Sequence, residues 1–265
     1  MPLLPMPAFR PIRTRADLPP HATQYLPTGA QLVRSAPFEL LLAASPEVLS
    51  RRRLVLVDGR AGCGKTTALA ALAAAASIPV ARATITPPAT GVKVLEAIHT
   101  SLTGHPAGLS QRRYENMLRD TLGREPRLLL IDEAQNAGLP VLRTLRLMLE
   151  ATNAQFALVL AGYGIAAHIQ QEEMLRSWVG LTVTFDALDP TGDLLPTLRD
   201  LHPQLAATPD PLLLEVNRVH CRGRLRDWVV VLETALSFAP QGPFTRAVFA
   251  DAIHTIAGTR PALVA

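Results

Sequence analysis

Short aliphatic runs, each bounded by glycine, polar or charged residues, recur along the first two thirds of the chain. Runs of this length without polar alternation are typical of strands that are buried on both faces of a parallel sheet. The pattern therefore predicts five strands, within residues 51–59, 78–84, 128–131, 156–164 and 181–188.

The segments between these runs have the composition and spacing of helices. Residues 66–77 are mostly alanine, which has the highest helix propensity. In residues 139–152, Leu142, Leu145 and Leu149 occur at helical spacing. They would therefore lie on one face of a helix. Strand, helix and strand in alternation predict a parallel α/β sheet flanked by helices.

The pattern changes after Pro190, where the strand-like runs end and amphipathic segments separated by proline and glycine begin. We expect helices there within residues 192–202, 210–220, 224–238 and 245–256. The organisation that follows is a flexible, proline-rich arm (1–24), an α/β core (25–189), a small helical lid (190–260) and a short tail (261–265).

Composition indicates a globular chain. Hydrophobic residues make up 48% of the 265 positions and charged residues 18%. No apolar run reaches the roughly 18 residues that a membrane span requires, so we expect no membrane association. The two cysteines, Cys63 and Cys221, supply neither a disulfide framework nor a metal site, which makes a reducing, cytoplasmic location the expectation.

The charge balance is modestly basic. The net charge is +4 and the isoelectric point is about 9.6, and every basic residue except Lys65 and Lys93 is arginine. Such a balance permits nucleic-acid binding without demonstrating it. Charge alone therefore does not choose between a nucleic-acid-binding protein and other classes.

The sequence VDGRAGCGKTT at 57–67 contains the spacing G-x-x-x-x-G-K-[ST] between a predicted strand and a predicted helix. Its glycines let backbone N–H groups turn toward a phosphate, and the helix N-terminus adds the positive end of its dipole. Lys65 is placed to reach the β- and γ-phosphates of ATP, and Thr66 to ligate Mg²⁺. The predicted nucleotide site comprises Gly59, Arg60, Ala61, Gly62, Cys63, Gly64, Lys65, Thr66 and Thr67.

An acidic pair, Asp132 and Glu133, directly follows the predicted strand at 128–131. Ligands of open α/β sheets bind at the carboxyl ends of the strands, so we expect the pair beside the nucleotide. Asp132 is placed to hold Mg²⁺ through water, and Glu133 to orient and deprotonate the water that attacks the γ-phosphate. The alternative is that the pair only caps the N-terminus of a helix.

Over about residues 25–260 the chain resembles an AAA+ ATPase, and more narrowly the family of TniB, TnsC and MuB, which are ATP-dependent regulators of DNA transposition. The phosphate loop and the acidic pair are shared by P-loop ATPases in general. The AAA+ resemblance also rests on GRLRDWVVVLETAL at 223–236. The narrower resemblance rests on DEAQN at 132–136, on the compact size and on GPFTRAVFADAI at 242–253. It implies a P-loop NTPase fold with a five-stranded parallel sheet followed by a small C-terminal helical lid.

The same resemblance implies a function. It implies slow hydrolysis of ATP to ADP and phosphate with Mg²⁺, stimulated by DNA or by a partner, and oligomerisation when ATP is bound. It implies sequence-nonspecific binding of double-stranded DNA, and as protein partners an integrase-type transposase and a target-selector protein. The chain would then regulate recombination and not perform strand transfer itself.

The resemblance also implies a polar sensor residue, often Asn or Thr, at the end of the strand within 156–164. This chain has Gly162, Tyr163 and Gly164 there. The Tyr163 hydroxyl is therefore the candidate sensor, or the sensor is absent.

Two arginines are further candidates on the same grounds. Arg176 would reach the γ-phosphate held by a neighbouring subunit; the alternative is a surface arginine paired with the glutamates at 172–173. Arg224, or else Arg226, would be the arginine of the lid that faces the phosphates. The alternative for this RGRLR cluster is a solvated or DNA-contacting surface.

Candidate DNA contacts lie between the first predicted helix and the acidic pair, where loops of such proteins line a central channel. They are Lys93, Arg112, Arg113 and Arg119. The alternative is that residues 110–120 form a plain amphipathic helix with a solvated basic face.

Two other functions stay open. One is an AAA+ ATPase that acts on a protein partner independently of DNA; the other is an ATP-gated scaffold that hydrolyses ATP poorly and acts through assembly. The missing Asn or Thr at the sensor position favours the scaffold, and the intact Glu133 argues against it.

Overall fold

The structure, a computed structural model, describes residues 9–151 and 155–258. Residues 1–8 of the expected arm and the expected tail at 261–265 lie outside the described residues. Contacts divide the chain into two units. Among the described residues, the first unit contains those up to Ile12, Pro37–Arg60 and Ala68–Phe185; the second contains Arg13–Ala36, Ala61–Thr67 and those from Asp186 onward.

The first unit contains a five-stranded parallel sheet with the strand order β2-β3-β4-β1-β5. Each strand overlaps one of the predicted aliphatic runs, so the predicted α/β sheet is confirmed. β4 is buried along its whole length and β3 at every residue but its first, which explains their unbroken aliphatic sequences. The strands are β1 (Leu54–Gly59), β2 (Val80–Thr84), β3 (Arg127–Asp132), β4 (Phe156–Gly162) and β5 (Val179–Phe185).

Helices occur at all the segments where the sequence predicts them. The structure also contains helices that the sequence analysis does not predict, some short and two of them long, Ala36–Ser50 and Gly91–Thr103. The helices are α1 (Pro20–Thr23), α2 (Ala36–Ser50), α3 (Lys65–Ala75), α4 (Gly91–Thr103), α5 (Gln111–Leu122), α6 (Leu139–Glu150), α7 (Ile165–Gln170), α8 (Glu173–Arg176), α9 (Leu194–Leu201), α10 (Pro203–Ala206), α11 (Asp210–Val216), α12 (Leu225–Phe238) and α13 (Arg246–Ala257).

The core of the first unit forms where α4, α5 and α6 cover the sheet. Leu142, Leu145 and Leu149 of α6 are fully buried in it, as their spacing predicts. Tyr114 of α5 is buried in the same core, and its hydroxyl donates to Glu96 of α4 at 2.8 Å. Aliphatic helix faces therefore pack on an aliphatic sheet, which is the main source of stability in such layers.

The second unit has its own core, built from α9 to α13 around Trp228, Phe244 and Phe249. Asn217 ties the turn before α12 to that helix, because its Oδ1 accepts from the Gly223 backbone N–H at 2.7 Å and from the Trp228 indole N–H at 3.2 Å. The C-terminal helices therefore form an independent core.

The expected arm contains ordered contacts from residue 9 onward. Ile12 and Leu18 are buried. The Arg15 guanidinium donates to backbone carbonyls of the segment that follows it, those of Thr23, Leu26, Pro27 and Ala30. One cation thus satisfies several carbonyls of an irregular segment, which would otherwise need water.

Within the described ranges, none of the helices combines the length and the apolar character needed to cross a membrane.

Candidate nucleotide-binding site

The phosphate loop begins at the carboxyl end of β1. Gly59 is the last residue of that strand, and α3 begins at Lys65. Gly59, Gly62 and Gly64 all have positive φ, of 137°, 85° and 101°, which side chains with a Cβ adopt at a cost. The loop therefore takes a path open mainly to glycine, and leads directly into a helix N-terminus, as an anion site requires.

Two side chains within this loop and at its end are buried. Lys65 is 7% exposed and Cys63 is 4% exposed. Cys63 thus fills space, as expected for a small apolar residue. A buried lysine at a glycine-rich helix start suits a triphosphate, and the Thr66 hydroxyl that follows is an oxygen ligand of the kind Mg²⁺ prefers.

The start of α12 contacts the phosphate loop within the second unit. The Arg226 backbone N–H donates to the Gly62 carbonyl at 3.0 Å, and a Cβ added at Gly62 would lie 3.0 Å from the Arg226 Cβ. Arg224, the residue before α12, instead forms an ion pair with Asp227 at 2.5 Å. Of the two arginines considered for the lid, Arg226 is therefore the one whose backbone is hydrogen-bonded to the phosphate loop.

Asp58, which the sequence motif does not include, organises the base of the loop. Its Oδ1 accepts from the backbone N–H groups of Gly59 at 2.6 Å and Gly164 at 2.8 Å, and its Oδ2 accepts from Ala166 at 3.0 Å. The carboxylate thereby joins the end of β1 to the N-terminus of α7. The sequence does contain a signal for Asp58, because it is an acidic residue inside an otherwise aliphatic strand.

Asp132 is the last residue of β3 and is 3% exposed. Its Oδ2 accepts from the Arg82 guanidinium of β2 at 3.1 Å, and its Oδ1 accepts from the Glu133 backbone N–H at 3.0 Å. The ion pair offsets part of the cost of burying the carboxylate. Arg82 is a second residue that sequence analysis missed, because an arginine in a strand carries no motif.

Glu133 has a left-handed backbone, with φ 56° and ψ 37°. This conformation is unfavourable for a residue with a Cβ and is concentrated at functional sites. Glu133 precedes a 3₁₀ turn (Ala134–Ala137) without forming a side-chain cap. Its Oε2 instead accepts from the Gln135 side-chain amide at 2.7 Å.

The sheet brings the ends of β1 and β3 to the same edge. The two strands are separated only by β4, and all neighbouring pairs are parallel. Neighbouring strands lie about 4.8 Å apart, so these two ends are separated by about 10 Å. The first glycine of the phosphate loop and the acidic pair therefore share the carboxyl edge where α/β proteins bind ligands.

Tyr163 and Arg176 are both on the surface. Tyr163 directly follows β4 and is 63% exposed. Arg176 is the last residue of α8 and is exposed. The pairing considered for it from the sequence is not found among the described residues; Glu172 pairs instead with Arg143 of α6.

The candidate DNA contacts lie on two helices of the first unit. Lys93 is in the first turn of α4, and the three arginines at 112, 113 and 119 are on α5. All four are exposed, whereas Tyr114, Leu118 and Leu122 of α5 are buried. α5 is therefore amphipathic and presents a basic face to solvent.

Comparison with known proteins agrees with this architecture. Residues 47–169 match the model of the AAA domain family. A structure of Drosophila ORC bound to DNA aligns with 94% of this chain and 70% of that one, with a TM-score of 0.62 and 17% identity. The chain has the P-loop AAA+ fold. This confirms the fold class predicted from the sequence.

Two further AAA+ structures align with the same fold. Cdc6p from Pyrobaculum aerophilum aligns with a TM-score of 0.62 and 20% identity, over 78% of this chain and 62% of that one. The RuvB Holliday junction branch migration motor of Thermotoga maritima aligns with a TM-score of 0.56 and 16% identity, over 82% and 66%. No curated protein matches the sequence significantly.

Proposed function

We propose that this chain is an ATPase that assembles on double-stranded DNA when ATP is bound and regulates transposition through target selection and transposase activation. The observation that carries the ATPase part is the pairing of a phosphate loop after β1 with an acidic pair after β3, at one edge of an AAA+ sheet. In this proposal residues 25–189 form the nucleotide-binding core and residues 190–260 its lid.

In this proposal the phosphate loop and the acidic pair supply the residues that bind and hydrolyse ATP. Lys65 binds the β- and γ-phosphates, and Thr66 and Asp132 hold Mg²⁺, Asp132 through water. When bound, Mg²⁺ supplies electrostatic stabilisation of the phosphate charge. Glu133 orients the attacking water and accepts its proton on the carboxylate.

Completion of the site by a second copy accounts for assembly. Arg176 is exposed at the end of a short helix. In this proposal it contacts the nucleotide held by a neighbouring subunit. Arg224 or Arg226 at the start of α12 contacts the phosphates from within the same chain, and Tyr163 is the candidate sensor of the γ-phosphate. Because one subunit holds the nucleotide and its neighbour supplies an arginine, the proposal includes ATP-dependent homo-oligomers.

The DNA part of the proposal is supported by charge and by fold. The chain has a net charge of +4, and the exposed cations of α4 and α5 supply phosphate contacts that carry no sequence information. Structurally similar ORC is seen bound to DNA. The resemblance to TniB, TnsC and MuB adds an integrase-type transposase and a target-selector protein as partners, in the cytoplasm.

The test is binding of fluorescein-labelled double-stranded DNA of several unrelated sequences, with and without a slowly hydrolysed ATP analogue. We expect analogue-dependent binding of similar affinity for all sequences, weakened at least 10-fold between about 50 and 200 mM salt. Lys65→Ala removes the effect of the analogue. Replacing the arginines at 112, 113 and 119 weakens binding, whereas Arg51→Ala, at an exposed arginine outside these helices, does not.

A strand-transfer assay tests the transposition part. An integrase-type transposase given the same DNA is expected to insert faster with the wild-type chain than with Lys65→Ala. DNA binding without any effect on strand transfer would contradict this part alone. ATP turnover with no DNA binding at low salt would instead identify a DNA-independent AAA+ ATPase, and ATP-dependent assembly with no turnover would identify an ATP-gated scaffold.

A further inference from the structure

Gln135 contacts Glu133 directly. It is the second residue of the 3₁₀ turn after Glu133, and its Nε2 donates to Glu133 Oε2 at 2.7 Å. The orientation of the amide follows from chemistry, because the reverse orientation would place its oxygen against the carboxylate. Oε2 of the Glu133 carboxylate is thereby held, which fixes the direction in which the other oxygen, Glu133 Oε1, points.

The other end of the same amide lies on Gly162, the last residue of β4. A Cβ added at Gly162 would overlap Gln135 Oε1 and would lie 3.0 Å from Gln135 Cδ. The volume that any other residue at 162 would fill is therefore occupied by the Gln135 carboxamide. This gives a physical reason for glycine at the end of β4, where the family resemblance leads us to expect a polar side chain.

Within the described residues, the Gln135 carboxamide forms its hydrogen bond through Nε2. Its Oε1 is buried and has no hydrogen-bond partner among the described residues. A buried acceptor without a partner is unfavourable, and few such groups occur in native structures. The contact that the amide does make is to Glu133, so the arrangement serves the position of that carboxylate.

We infer that Gln135 is a positioning residue for Glu133 and that Gly162 provides the space it needs. This inference rests on the proposed role of Glu133 in accepting the proton of the attacking water. The carboxamide takes part in fixing a side chain whose backbone is already in an unfavourable conformation. It acts through Glu133 and is given no contact with ATP.

The first test replaces the amide. Gln135→Met keeps a side chain of similar length without the donor, and Gln135→Ala removes the side chain. We expect kcat for ATP hydrolysis to fall about 10- to 100-fold in both, because a misplaced general base loses part of its 10²- to 10⁴-fold contribution. KM and the affinity for a fluorescent ATP analogue stay within about twofold of wild type, since the phosphate loop is unchanged.

The second test uses the contact at Gly162. Gly162→Ala displaces the carboxamide and should lower kcat to a similar extent. In the Gln135→Ala background no carboxamide remains to be displaced, so Gly162→Ala should have little further effect. Losses that multiply in the double variant would overturn the inference. If Gly162→Ala does not fold, the comparison of kcat between Gln135→Met and wild type tests the inference.

A matched control is available on α5, where the Gln111 amide donates to Glu115 at 2.9 Å on the surface. Gln111→Ala removes the same kind of contact and should leave kcat unchanged. Glu133→Gln distinguishes failure of the proposed function from failure of the positioning role. Wild-type kcat in Glu133→Gln contradicts the proposed function, whereas loss of turnover in Glu133→Gln with wild-type kcat in both Gln135 variants overturns only the positioning role.

Discussion

The Asp58 carboxylate accepts hydrogen bonds from three backbone N–H groups at the base of the phosphate loop. Asp58→Ala leaves these donors without their acceptor and removes a cap from α7. We expect a loss of about 1–3 kcal/mol in the free energy of unfolding, measured by urea denaturation. We also expect weaker binding of a fluorescent ATP analogue, because Gly59 is no longer tied to the loop after β4.

Asp58→Asn is the matched control for this prediction. It keeps one acceptor oxygen, so its loss of stability should be smaller than that of Asp58→Ala. Equal urea midpoints for Asp58→Ala and wild type would show that the three contacts do not stabilise the fold.

At the residue scale, the sequence reveals chemistry that is local in the chain. The sequence proposes Lys65 and Asp132 as site residues because each belongs to a short motif beside an aliphatic strand. It does not propose Arg82 and Gln135, because their roles depend on partners brought together by the sheet and by the turn after Glu133. Long-range contacts of this kind leave no spacing signal.

At the element scale, strand positions follow from aliphatic runs, but their order in the sheet does not. The insertion of β4 between β1 and β3 joins segments far apart in sequence, and no local pattern specifies that neighbour. The hydrogen bonds from Arg15 to backbone carbonyls within residues 23–30 are likewise not predicted by any hydrophobic periodicity. Helices α7, α8 and α10 are too short to produce an amphipathic pattern.

We expect His202 to make the second unit less stable in acid. Its Nδ1 accepts from the Gln204 backbone N–H at 3.2 Å as the N-cap of α10, and burial lowers its pKa below the usual value of 6.5. The unfolded chain therefore binds the proton more readily than the folded chain. Stability should fall as the pH decreases below about 6.5, and should not depend on this group above it.

Urea unfolding between pH 7.5 and 5, roughly the titration range of histidine, measures this effect. His202→Asn keeps a capping acceptor without a titrating group, so its stability should vary less with pH than that of wild type. His105→Asn, at an exposed histidine, is the control and should preserve the wild-type pH dependence. Identical pH profiles for His202→Asn and wild type would contradict the assignment.

At the scale of the whole molecule, the proposal requires two copies to complete one site. Arg176→Ala should bind ATP normally but lose most of its turnover, because the arginine acts on the neighbour's nucleotide. Mixing Arg176→Ala with Glu133→Gln should restore part of the activity, since some interfaces then combine an intact Glu133 with an intact Arg176. No recovery on mixing would contradict a shared site, and Arg51→Ala serves as the control for loss of an exposed arginine.

The sequence predicts the AAA+ fold because its phosphate loop, its acidic pair and its order of strands and helices all agree with that architecture. The proposed assembly is harder to predict, since Arg176 and Tyr163 are exposed and contacts within one chain do not define what exposed residues bind.

The most direct measurement is the steady-state rate of ATP hydrolysis with and without double-stranded DNA, for wild type, Lys65→Ala and Glu133→Gln. We expect wild-type turnover that DNA increases, no nucleotide binding in Lys65→Ala, and nucleotide binding without turnover in Glu133→Gln. Turnover in wild type no faster than in Lys65→Ala, with or without DNA, would show that this chain is not an ATPase of the proposed kind.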